Sequence, residues 1–135
     1  MKKIYSLIDP TILLHIVVDG NFLKSREEII PESNFLQLSK LSLVSGIEFE
    51  PHRHIEKEVT FSKFHAQEAW VVLSGRVEVI YFDLDDTEIS RYILTSGETS
   101  ITLLGGHNYR VLNDSRVLEF KSGPYLGVQR DKVKI

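Results

Sequence analysis

The chain has no cysteine. Disulfides, thiolate metal sites and cysteine nucleophiles are excluded, which fits a reducing compartment, so a cytoplasmic location is expected. It has no surplus of one charge either: the net charge is −3 and no basic stripe exists to follow a phosphate backbone. Nucleic acid is therefore not an expected partner. No apolar run is long enough to span a bilayer, so no membrane role is expected. Lys2-Lys3 followed by the apolar Ile12 to Val18 faintly resembles a secretory signal. Asp9-Pro10 interrupts that pattern and no small-residue cleavage site follows. Linkers, low-complexity tracts and solenoid repeats are absent, and helix-period patterns are nearly so, which argues against a βαβ architecture.

What is present is a series of short apolar segments punctuated by turn residues. Across 135 residues, 42% of them apolar, this reads as one all-β domain, a sandwich or small barrel. Ile12 to Val18 is a strand ending at Asp19-Gly20, and Ser25 to Ile30 a short helical turn stopped by Pro31. Phe35 to Val44 alternates with a register shift near Lys40. Gly46 to His54 reads as a further strand. Ala69 to Leu73, Arg76 to Phe82, Glu88 to Leu94 and Thr99 to Leu104 follow, joined by turns at Ser74-Gly75, Asp83 to Asp86 and Thr95 to Gly97. Gly105-Gly106 bends the chain at His107. Tyr109 to Leu112 and Val117 to Lys121 then form a last hairpin.

The sharpest chemical signal is Pro51-His52-Arg53-His54. Side chains alternate across a strand, so His52 and His54 project from one face and Arg53 from the other. Paired neutral imidazoles suit first-row metals. A carboxylate and another imidazole brought to the same point would complete a site. Glu68, the last acidic residue before an apolar run, begins a strand near where the His52/His54 strand should pair. His107 follows two glycines that permit close backbone approach. The bland alternatives are two solvated histidines, a surface carboxylate and a turn histidine; Glu58 or Glu56 is the rival carboxylate. His15, alone in an apolar strand, reads as structural. Trp70 shares the Glu68 face and reads as core filler. Tyr109 shares the His107 face. The close-set Asp83, Asp85 and Asp86 read as a polar turn.

Gly46, His52, His54, Glu68 and Gly75 resemble the first motif of the cupin superfamily, and Gly97 with His107 resembles the second. The likeness covers about residues 46–113, with residues 1–45 as N-terminal strands and 114–135 as a C-terminal strand and tail. Thirteen residues separate His54 from Glu68 where the family usually has three or four, so residues 55–66 read as an inserted loop. The resemblance implies a double-stranded β-helix, the cupin jelly-roll barrel, and a homodimer. It also implies one divalent transition metal (iron, manganese, nickel or zinc) held by His52, His54, Glu68 and His107, with coordination positions left open. The implied partner is a small molecule, a carbohydrate or a hydroxy acid, and three functions stay open. These are a metal-dependent enzyme, a non-catalytic binding or sensing module, and a metal-free sugar epimerase or ketoisomerase using histidine bases.

Overall fold

The computed structural model describes residues 1–56, 64–123, 127–131 and 133–135. Ten strands lie among them: β1 (Lys2–Tyr5), β2 (Leu13–Val18), β3 (Arg26–Glu28), β4 (Ser39–Leu41), β5 (Glu68–Ser74), β6 (Val77–Phe82), β7 (Glu88–Leu94), β8 (Thr99–Thr102), β9 (Gly106–Val111) and β10 (Arg116–Lys121). One helical turn, α1 (Val128–Asp131), follows. The chain is all-β in character, as its pattern predicts. No helix among the described residues is long and apolar enough to cross a membrane.

The strands form three antiparallel sheets, ordered β1-β2-β8-β5-β10, β7-β6-β9 and β3-β4. No closed barrel forms among the described residues. The five-stranded sheet is covered on both faces. Period-two alternation explains this, because odd and even residues of one strand serve different cores. On β2, Val17 packs with Val72, Val77, Val79, Tyr81 and Leu94, joining the five-stranded sheet to the three-stranded one. Its neighbours Ile16 and Val18 pack the other way, with Ile29, Ile30, Ala69, Ile101 and Leu103. Each fully buried aliphatic side chain of this kind contributes about 1.5–3 kcal/mol.

Several local expectations are corrected. Residues 26–28 form a strand, not a helical turn, because Arg26, Glu27 and Glu28 pair with Leu41, Lys40 and Ser39. Ile29 and Ile30 then plug the second core. Residues 46–54 form no strand; Ser45 and Gly46 turn and the chain runs on irregularly. The turns at 74–75 and 95–97 do not close hairpins either. β5 and β8 belong to the five-stranded sheet, whereas β6 and β7 belong to the three-stranded one. Each of these turns therefore carries the chain from one sheet to the other. The segment after β9 does the same, since β9 pairs with β6 and β10 with β5. Gly75 permits the crowding of two such crossings. It sits at φ +91°, and a Cβ there would lie 2.5 Å from the Asp114 carbonyl oxygen. The hairpin across residues 83–87 is as expected, joining β6 to β7.

Candidate functional site

The register of the five-stranded sheet sets four polar residues in one row. His15 on β2 lies opposite Thr102 on β8. Thr102 lies opposite Glu68 on β5, and Glu68 opposite Lys121 on β10. Directly paired residues share a face, so an imidazole, a hydroxyl, a carboxylate and an ammonium run side by side across four strands. The next row along sets Val17, Ser100 and Trp70 on the inner strands between Lys2 and Glu119 on the outer ones. Beyond it Val72 belongs to the aliphatic core. The space between the sheets thus grades from oil at one end to polar at the other.

The three-stranded sheet completes the polar end. His107 on β9, opposite Tyr81 on β6, places Nε2 3.1 Å from Glu68 Oε1. A carboxylate only accepts, so Nε2 carries a proton, and in the neutral ring the lone pair falls on Nδ1. That Nδ1 is buried and has no hydrogen-bond partner among the described residues. The two side chains keep 22% and 12% exposure and line a cavity of about 610 Å³. Thr102, Lys121 and Asp83 also line it, and Arg130 reaches it from α1. Behind the pair, Tyr109 stacks on Trp70 with ring centroids 3.9 Å apart. Tyr109 donates its hydroxyl to Ser100 Oγ at 3.1 Å, and Tyr81 bonds the same oxygen at 2.7 Å. Burial pushes both phenols above their ordinary range, so neither readily gives up its proton.

His15 is wholly buried. Its Nε2 lies 3.1 Å from the Phe82 carbonyl and its Nδ1 3.2 Å from Thr102 Oγ1. Burial pulls its pKa down from 6.5 to about 4, so the ring is neutral. The structural reading of His15 therefore stands, and Asp83 also behaves as a turn residue. Its carboxylate accepts the Leu7 and Leu84 amides at 2.6 and 2.8 Å.

Of the four residues expected to bind metal, the structure brings together Glu68 and His107. His52 and His54 lie elsewhere in character, exposed on the irregular segment after Gly46. Their rings meet edge to face at 5.5 Å, and His52 Nδ1 lies 3.0 Å from the Glu50 carbonyl. Among the described residues no group of three or more histidine, aspartate or glutamate side chains is gathered to hold an ion. The rival Glu58 and residues 57–63 of the inserted loop lie outside the described residues. Sequence reasoning missed Thr102 and Lys121 as members of the site. Ser100 and Thr102, on one face of β8 either side of Ile101, were the available signal.

No family model matches the chain, and neither the curated proteins nor the solved structures contain a match to it.

Proposed function

We propose that the polar end of the inter-sheet space is a small-molecule site whose acid–base centre is the Glu68–His107 pair. The activity that suits it is the metal-free one, epimerisation or ketoisomerisation of a carbohydrate or hydroxy acid. The resemblance to cupins belongs to this proposal, with the two facing sheets as the two halves of the expected jelly roll.

The observation that carries the reading is the Glu68–His107 pair on a cavity wall, with His107 Nδ1 buried and without a partner among the described residues. A buried acceptor without a donor costs about 1–3 kcal/mol, so a proton arriving there is favoured. Glu68 fixes the tautomer and stabilises the imidazolium that forms when the pair takes a proton. A proton removed from the carbon beside a carbonyl would reside on the pair and, in ketoisomerisation, return to the former carbonyl carbon while a hydroxyl proton passes between the two oxygens; in epimerisation it would return to the same carbon once the intermediate has turned its other face to the pair. No atom is gained or lost in either outcome.

The test is deuterium wash-in from heavy water into a panel of free ketoses and nucleotide-linked keto sugars. The wild-type chain is expected to label at least one of them, with or without a chelator. Glu68→Gln and His107→Asn should each slow labelling by about 100-fold. Labelling abolished by chelation would favour a metal enzyme instead. Binding without labelling would leave a non-catalytic module.

A further inference from the structure

We propose that Thr102 is a specificity residue of this cavity, a hydrogen-bond acceptor that selects a ligand hydroxyl, or another donor, and rejects a carbonyl or carboxylate. The inference rests on the cavity being a sugar site and says which ligand group its floor takes.

The argument is one of proton bookkeeping through His15. The Phe82 carbonyl can only accept, so the proton of His15 is on Nε2, 3.1 Å from that oxygen. Nδ1 is then a bare lone pair. Its neighbour at 3.2 Å is the Thr102 hydroxyl, which must donate to it. Thr102 has one proton, and it is committed to the protein interior. Only lone pairs remain on Oγ1, and Thr102 lines the cavity. The ring cannot reverse these roles by taking a second proton near neutrality, because it is buried against Tyr81 with ring centroids 4.4 Å apart. Directly opposite Thr102 on β5 stands Glu68, which as a carboxylate also only accepts. Both are acceptors, whatever else Glu68 bonds. A ligand hydroxyl can donate to Oγ1, whereas a carbonyl or carboxylate oxygen there meets lone pair against lone pair.

D-glucose and its single deoxyfluoro derivatives separate the possibilities, since fluorine keeps the size of a hydroxyl but cannot donate. Binding is read by amide and imidazole NMR shifts. One derivative is expected to bind the wild type about tenfold more weakly than glucose, the scale of one lost hydrogen bond. Thr102→Val should bind glucose and that derivative alike, and Thr102→Ser should restore the difference. If glucose does not bind, the inference is overturned, while the reading beneath it is judged by the labelling of keto sugars. If glucose binds but every derivative binds equally, or the difference survives in Thr102→Val, the inference alone is overturned. The wild type supplies a check that needs no variant. Ring ¹⁵N shifts of His15 should show a protonated Nε2 and a bare Nδ1, and the opposite tautomer overturns the assignment.

Discussion

Replacing Gly105 by alanine is expected to destabilise the protein by about 2–4 kcal/mol, from backbone strain plus overpacking. Gly105 sits at φ +78°, a region that costs any residue with a Cβ. The new methyl would also lie 2.6 Å from the Phe82 carbonyl oxygen and 3.2 Å from His15 Nε2. Backbone cannot swing aside as a flexible side-chain tip can. The carbonyl forced to move is the one that fixes the His15 tautomer, so the damage should reach Thr102. Urea unfolding measures the stability loss, and the His15 ring nitrogens report the lost bond. A change of under about 1 kcal/mol would mean that strain and clash are both relieved by relaxation.

Acidification should remove about 3 kcal/mol of stability through His15 alone. Its pKa is about 4 in the folded chain and 6.5 when exposed, and each unit is worth about 1.4 kcal/mol. The sign follows from which state binds the proton first. Below pH 6.5 the unfolded chain takes up a proton that the folded chain refuses, so stability falls as pH drops. The loss is complete only near pH 4. About 2 kcal/mol of it should appear between pH 7 and pH 5. The carboxylates of Asp9, Glu28 and Glu88 are held below their ordinary range by hydrogen bonds to Thr11, Ser39 and Arg91 respectively. They titrate lower, so the upper half of the window belongs to the histidine. Denaturant midpoints measured across it should slope down for the wild type and lie nearly flat for His15→Gln. An equal slope in both would place the titrating group elsewhere.

Much of the sandwich was legible because its central strands carry both signals that a sequence can hold. Leu13–Val18, Glu68–Ser74, Val77–Phe82 and Glu88–Leu94 combine β-branched or aromatic residues with turn residues at their ends. What alternation cannot encode is the partner of a strand. Ser74-Gly75 has the chemistry of a hairpin turn, yet β5 finds its partners in β8 and β10, far along the chain. The same limit governed the segment after Gly46. Ile47 and Phe49 alternate with Glu48 and Glu50 as a half-buried strand would, but they remain 50% and 64% exposed with no strand paired beside them among the described residues. The likeness of Pro51-His52-Arg53-His54 to a metal motif depended on that pairing.

Glu68, the last acidic residue before an apolar run, and His107, after two glycines, were expected as metal ligands, and the structure sets them 3.1 Å apart. His15 was legible as structural, but its leverage on Thr102 was not. That leverage depends on the register of β2 against β8 across more than eighty residues of chain, Nδ1 and Oγ1 being 87 residues apart in sequence. It depends also on a carbonyl at Phe82 contributed by the other sheet.

The most direct measurement of the acid–base centre is ring ¹⁵N NMR of the histidines. It should be recorded for metal-free protein, again with one equivalent of zinc, and again with a keto sugar that the wild type labels. The account predicts His107 with its proton on Nε2 and a bare Nδ1, shifted by the sugar and unmoved by zinc. Zinc shifting His52, His54 and His107 together would contradict it and restore a four-ligand metal centre.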